Sequence, residues 1–374
     1  MSRDDRDRDP EDGDWGVVKH RGRLPMNHTE YRRILIVKPS SLGDIVHALP
    51  TLRAIRAEYP QAHIAWLVKR QWAALLERVE GLDRIWALGD GLRGWLSMVP
   101  RLRAERFDLV IDLQGLLRSG AMAWLTGCKR RVGFANGREG SPLFYTERVS
   151  IPTREMHAVD RYLLIAAAVG AAWKGQPDFG LHPRPEDQQE VDALLDGQGI
   201  RRGSPWVAFS VSARWPTKRW PMESFAAVAE ALQRDAGVRA VLIGGPDDGP
   251  TAREVVSHMP TTSPVDMTGR TRLKLLPALL ASATVLVTND SGPMHVAAAV
   301  GTPVVALFGP TSPVRTGPYG GGHAVLARAD VPCRPCFDRH CRNAIALECL
   351  TRVTPEEVLD AVRRRLAPAR AVPS

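Results

Sequence analysis

The sequence predicts an α/β protein made of two doubly wound halves, and three observations carry that reading. The chain has 374 residues, more than one typical domain needs and enough for two. Short apolar, β-branched runs alternate with stretches of helical periodicity, the pattern of a parallel sheet covered on both faces. The alternation stops in a stretch rich in Pro, Gly and charge, about 175–205, and then restarts.

The elements follow in order. Residues 2–14 alternate Arg and Asp without an apolar period, so they cannot bury enough surface to order themselves. Met26, just before the first strand, is a second candidate start of translation, which the intact mass of the native protein would decide. Ile34 to Val37 is a short β-branched run, a buried strand. Pro39 to Gly43 is a turn, and a helix begins near Asp44 with Ile45, Leu49 and Leu52 on one face. Strands follow at 63–68, 84–88, 108–113 and 131–134. The apolar segment from Tyr162 to Trp173 is about a dozen residues, the length of a core helix and too short to span a bilayer. A short helix (186–195) lies inside the polar stretch. Beyond it, strands are expected at 206–211, 239–243, 284–288 and 303–308. Helices are expected at 222–235 and about 293–300. Thr354-Pro-Glu-Glu357 is a capping box that starts a last helix. The expected organisation is a charged tail 1–30, an N-terminal half 31–185, a linker 186–205, a C-terminal half 206–365 and a tail 366–374.

Composition narrows the function. Hydrophobic residues make up 44% and charged residues 24%, an ordinary globular balance. The formal charge of +9 suits nucleic acid, an anionic membrane surface or a phosphorylated substrate. No aromatic-interleaved basic stripe supports nucleic acid. No secretory signal is visible, so the cytoplasm is the expected compartment. There is no G-x-G-x-x-G, no Walker A sequence and no H-E-x-x-H, which argues against dehydrogenases, P-loop enzymes and zincins.

Chemistry concentrates where strands end. Asp44 sits at the carboxyl end of the first strand and at a helix start, a place for a base or for a helix cap. Ser210-Val-Ser-Ala-Arg-Trp-Pro-Thr-Lys-Arg-Trp220 again runs from a strand into a polar turn. Ser212 and Thr217 could donate hydrogen bonds there and Lys218 could supply a point charge for phosphate, or the stretch is a solvated basic loop. In Asn289-Asp-Ser-Gly-Pro-Met-His295, the amides of Ser291 and Gly292 would face an anion and Asp290 could hold sugar hydroxyls. Asp248, in a Gly-Gly-Pro-Asp-Asp turn, could bind a ribose diol. Cys333, Cys336, Cys341 and Cys349 form C-x2-C-x4-C-x7-C, a spacing that permits a metal but is not a standard ribbon; local packing or a redox pair fits as well.

The stretches Ile34 to Pro50, Asp112-Leu-Gln-Gly115, Lys218-Arg-Trp-Pro221 and Asn289 to His295, taken in this order and spacing, resemble glycosyltransferase family 9, the bacterial lipopolysaccharide heptosyltransferases. The resemblance runs from about Arg33 to Arg365. It implies a GT-B fold, two Rossmann-like domains facing across a cleft. The N-terminal half would take a lipid A-core acceptor and the C-terminal half the ADP-heptose donor. The reaction would be inverting, with no metal and no cofactor. Asp44 would be the general base. Lys218 and the Ser291 and Gly292 amides would stabilise the departing diphosphate. Asp290 and His295 would lie at the heptose, and Asp248 and Thr271 on the nucleoside side, with Ser212 in the donor loop. On the acceptor side stand Ser41, Gln114, Arg138, His157 and Arg161. An acceptor of this kind leaves room for peripheral contact with the inner face of the inner membrane. A transferase using another nucleotide sugar, or a binding protein whose base no longer works, are the alternatives.

Overall fold

In a computed structural model, residues 30–366 are described. The charged segment and Met26 therefore lie outside the described residues, as do the last eight. The first sheet contains β1 (Arg33–Val37), β2 (His63–Lys69), β3 (Arg84–Leu88), β4 (Leu109–Asp112), β5 (Arg131–Phe134) and β6 (Glu147–Val149). The second contains β7 (Trp206–Ser210), β8 (Arg239–Leu242), β9 (Val265–Asp266), β10 (Val285–Asn289), β11 (Val304–Phe308) and β12 (Ala324–Ala327). The strand orders are β3-β2-β1-β4-β5-β6 and β12-β11-β10-β7-β8-β9. Every described pairing is parallel. Each half thus has the Rossmann order, reversing once between its first and fourth strands. The expected fold class, two Rossmann-like α/β domains, is what the chain adopts.

Burial explains why these runs became strands. β1, β4, β7, β10 and β11 lie in the middle of their sheets, and nearly all their residues are buried on both faces. Such strands need continuous apolar runs rather than alternation. Three strands escaped the sequence reading: β6, β9 and β12. All lie at a sheet edge, are two to four residues long and are largely half-exposed. A strand wet on one side carries no apolar run to see. The first helix, Leu42–Glu58, starts two residues before the expected position, with Ser41 as its N-cap. The capping box at Thr354 formed: its N–H donates to Glu357 Oε2 at 2.9 Å, and Glu357 N–H donates back to Thr354 Oγ1 at 3.4 Å. The stretch expected as a linker carries a helix, Pro185–Asp196, whose Val191 and Leu195 are buried in the apolar core. That core is continuous from β1 and the Leu42–Glu58 helix to β10 and the Gly292–Ala299 helix, so the two halves are packed together.

Candidate active site

Both sheets place candidate residues at the point of strand-order reversal. Ligands of open α/β sheets bind outside the strand carboxyl ends at such a point, where the two loops diverge. In the first half Asp44 follows β1 and Gln114 follows β4. In the second half Lys218 follows β7 and Asp290 follows β10.

Asp44 lies in the first turn of its helix, one turn past the N-cap. Ser41 N–H and Ser41 Oγ–H both donate to Asp44 Oδ2, at 3.1 and 2.7 Å. Asp44 therefore does cap the helix, as its position allowed. The described hydrogen bonds engage only Oδ2 and leave Oδ1 for another partner. Burial pushes the carboxyl up, but the Lys38 ammonium and the two Ser41 donors outweigh it and hold Asp44 below the ordinary carboxylate range. It is ionised at neutral pH. Lys38 ends the β1 run and is itself buried, with its Nζ 5.2 Å from the Tyr162 ring centre. Burial pushes the ammonium down; Tyr162, Asp44 and Asp112 more than restore it. Sequence reasoning quoted Lys38 without giving it a role. A cation closing an otherwise apolar strand was the available signal.

In the second half, Lys218 Nζ meets Asp290 Oδ2 at 2.6 Å. Thr311 Oγ–H donates to the same oxygen at 2.7 Å. The Asp290 side chain is 5% exposed and that of Lys218 18%, so the pair is nearly dry and open on the lysine side. Asn289 holds the two loops in register: its Nδ2 donates to Val211 O at 2.7 Å and its Oδ1 accepts from Trp220 N–H at 3.0 Å. Thr311 and Asn289 were both missed as site residues. Thr311 follows β11, a strand end to which the sequence reading assigns no site, and Asn289 lies inside the Asn289 to His295 stretch.

Two glycines let the halves meet. A Cβ on Gly43 would lie 2.3 Å from His295 Cδ2, and one on Gly292 would lie 2.6 Å from Leu42 Cδ2. The N-terminal turns of the Leu42–Glu58 and Gly292–Ala299 helices thus press together, and His295 sits near both Asp44 and Asp290. Burial, against the pull of those carboxylates, lowers the His295 imidazole to about 4. Its ring centre is 4.1 Å from that of His47, which lies 5.2 Å from that of His157. Burial and the neighbouring His295 and His157 push His47 well below its ordinary value, and neither of its nitrogens has a hydrogen-bond partner.

The remaining expected residues divide. Ser212 Oγ is buried without a partner and is available as a donor. Thr217 is not: its hydroxyl donates to Asp338 O at 2.8 Å, so the loop 333–347, not an anion, uses it. Ser291 is the N-cap of the Gly292–Ala299 helix, with its Oγ 3.1 Å from Thr288 Oγ1. Asp248 Oδ2 accepts from Gly245 N–H at 2.8 Å and closes its own turn. Thr271 lies two residues after Gly269, whose N–H donates to Gly244 O at 3.0 Å, so Thr271 and Asp248 lie in neighbouring loops. Gln114 N–H donates to Asp112 Oδ1 at 2.8 Å, while its Oε1 accepts from Ser40 N–H at 3.4 Å. Arg138 is exposed, with its N–H donating to Gly115 O at 2.8 Å. Arg161 is half-buried with Nε unpartnered. His157 caps the Ala158–Ala168 helix, and its Nε2 lies 3.1 Å from Gly317 O of the other half, so it joins the contact between halves.

The four clustered cysteines line one cavity of about 210 Å³ with Thr217 and His340. Cys333, Cys336 and Cys341 are exposed thiols and Cys349 is buried. Among the described residues no three ligating side chains are arranged to hold a metal ion. Among the described residues, too, no helix is long and apolar enough to cross a membrane.

Known proteins are similar to this chain in sequence and in fold. The family model for glycosyltransferase family 9 (heptosyltransferase) matches residues 95–346. The chain is 31% identical over 359 residues to lipopolysaccharide heptosyltransferase 1 of Pseudomonas aeruginosa, covering 87% of this chain and 96% of that protein. Its structure is similar to that of the family 9 glycosyl transferase from Veillonella parvula, with a TM-score of 0.79 and 26% identity, over 90% of this chain and 97% of that one. It is also similar to E. coli ADP-heptose lps heptosyltransferase II, with a TM-score of 0.74 and 25% identity, over 89% and 98%. The family match spans most of the chain, and with the Pseudomonas aeruginosa relative it makes this protein a member of glycosyltransferase family 9, the heptosyltransferase family.

Proposed function

We propose that the protein transfers heptose from ADP-heptose to a lipopolysaccharide-core acceptor, with inversion and without a metal. The observation that carries this reading is the facing pair of charged groups. An ionised Asp44 with a free Oδ1 stands on one half, and a dry Lys218–Asp290 pair stands on the other, with His295 near both carboxylates. Donor and acceptor follow from the relatives, one a lipopolysaccharide heptosyltransferase and the other an ADP-heptose enzyme by name. In the proposed step the acceptor hydroxyl attacks the anomeric carbon and its proton passes to Asp44 Oδ1. The bond to ADP breaks on the opposite face. Lys218, with the Ser291 and Gly292 amides, takes up the charge gathering on the diphosphate. Asp290 and His295 hold the heptose, Ser212 the phosphate, and Asp248 and Thr271 the nucleoside side. Ser41, Gln114, Arg138 and Arg161 line the acceptor end.

The test is ADP release from ADP-heptose with heptose-free and mono-heptosylated lipid A cores. Release that depends on one of the two acceptors supports the reading and identifies the step. ADP binding without release on either acceptor would move the reading to another sugar. No nucleotide binding would end it.

A further inference from the structure

The first half carries an apolar surface that its own core does not use. The Gly91–Ala104 helix buries Met98 and Leu102 against the sheet but leaves Leu92 68% and Leu96 55% exposed, one turn apart on the same side. Beside it the Leu117–Leu125 helix leaves Leu117 46% and Trp124 56% exposed, and the following Ser141–Phe144 turn leaves Leu143 80% exposed. Both helices pack on one face of the first sheet, through Met98, Leu102, Met122 and Ala123. The turn is tied to them, since Leu117 N–H donates to Glu139 Oε2 at 3.3 Å and the Trp124 and Phe144 rings lie 6.4 Å apart. Scattered exposed leucines need no explanation, but five large apolar side chains on adjoining elements do.

The charge on these elements selects the partner. The Gly91–Ala104 helix carries Arg93, Arg101 and Arg103 and no acidic residue, and the Leu117–Leu125 helix carries Arg118 and none. Glu139, at Leu117, and Asp90 and Glu105, at the two ends of the Gly91–Ala104 helix, are the acidic groups nearby, but the two helices themselves carry only arginine beside their apolar side chains. That combination fits a bilayer interface with anionic headgroups, where leucines and a tryptophan enter the acyl boundary and guanidinium groups meet phosphate. The placement agrees. Leu92 and Leu117 begin helices that leave the carboxyl ends of β3 and β4, the edge at which Gln114 and Asp44 lie. We infer that this face docks the enzyme on an anionic phospholipid bilayer, with the acceptor end of the cleft turned toward the lipid. The site's need for a lipid-borne acceptor rests on the proposed function; the chemistry of the face does not.

The experiment is co-sedimentation of the full chain with vesicles of phosphatidylcholine alone and of phosphatidylcholine with one quarter phosphatidylglycerol, for wild type, Leu92→Glu/Leu96→Glu and Arg93→Ser/Arg118→Ser. The expected result is binding to the anionic vesicles that weakens with salt and falls at least tenfold in each variant, while ADP binding and melting temperature stay at wild-type values. ADP release on a detergent-dispersed, short-chain acceptor should survive in both variants, so loss of docking is distinguished from failure of the transferase reading. Wild type that ignores anionic vesicles, or variants that bind them equally well, would overturn the inference. So would light scattering that shows a dimer abolished by Leu92→Glu/Leu96→Glu in a protein that does not bind vesicles, because the partner would then be a second copy.

Discussion

Replacing Lys218 by Met would test the donor site most revealingly, because that lysine neutralises Asp290 in the structure and has a second task in the proposed function. Without ligand it neutralises Asp290, whose carboxylate is 5% exposed and keeps only the Thr311 hydroxyl once the ammonium is gone. Removing one partner of a buried pair costs about 3–5 kcal/mol. The retained Thr311 bond and the partly open lysine place this case at the lower end, about 3 kcal/mol. In a chain of this size about 1 kcal/mol moves Tm by ~2 °C, so thermal unfolding should begin roughly 5 °C lower. In the proposed complex the same ammonium faces the diphosphate of the donor. Losing one charged hydrogen bond there costs about 1.5–3 kcal/mol, a roughly 10- to 100-fold weaker ADP affinity by calorimetry. Asp290→Asn is the control, since an amide oxygen still accepts from Thr311 and Lys218, and its stability should fall by about 1 kcal/mol at most, ~2 °C in Tm. A Lys218→Met protein that melts within a degree of wild type and binds ADP equally well would refute both tasks.

Two further outcomes follow from the contact between halves. Gly43→Ala forces a methyl to within 2.3 Å of the His295 ring, which must move; acceptor-dependent turnover should drop at least tenfold, read by steady-state kinetics, with far-UV circular dichroism unchanged. The buried histidines set a pH term. His295 falls to about 4 in the folded state against ~6.5 unfolded, so its stability contribution is complete above pH ~6.5 and is lost as pH falls toward 4. That loss amounts to about 3 kcal/mol across the window, seen as a falling Tm between pH 7 and 4.5, and His47→Phe should soften it, because His47 is lowered in the same direction and makes no hydrogen bond that the change would break.

Much of this was legible in the sequence, for reasons that particular residues show. β1, β7 and β10 announced themselves because a strand buried on both faces is mostly apolar, with its buried polar residues confined to the carboxyl end, so Ile34 to Val37 reads as an unbroken run. Asp44, Lys218 and Asp290 were visible because each follows such a run, where ligands of these sheets bind. What stayed hidden depended on partners distant in sequence. Thr217 carries the right chemistry in the right loop, yet Asp338, 121 residues away, takes its hydroxyl. His47 carries no role in the sequence reading, and only packing against His295 and His157 shows it as a buried, unpaired imidazole. Lys38 needed the three-dimensional neighbourhood of Asp44 and Tyr162 to gain a role. The capping of the helix by Asp44 leaves room for its proposed role as a base, since the Ser41 donors occupy one oxygen and leave the other.

The central claim is that Asp44 is the base. Its most direct test is single-turnover ADP release by Asp44→Asn, with ADP-heptose affinity measured on the same protein. Asn keeps an acceptor for Ser41 and so preserves the helix start, but it cannot take a proton. Release should therefore fall by about 10²–10⁴-fold while donor affinity stays within about twofold. Release near the wild-type rate would contradict the assignment, and so would a loss of donor binding large enough to account for the whole effect.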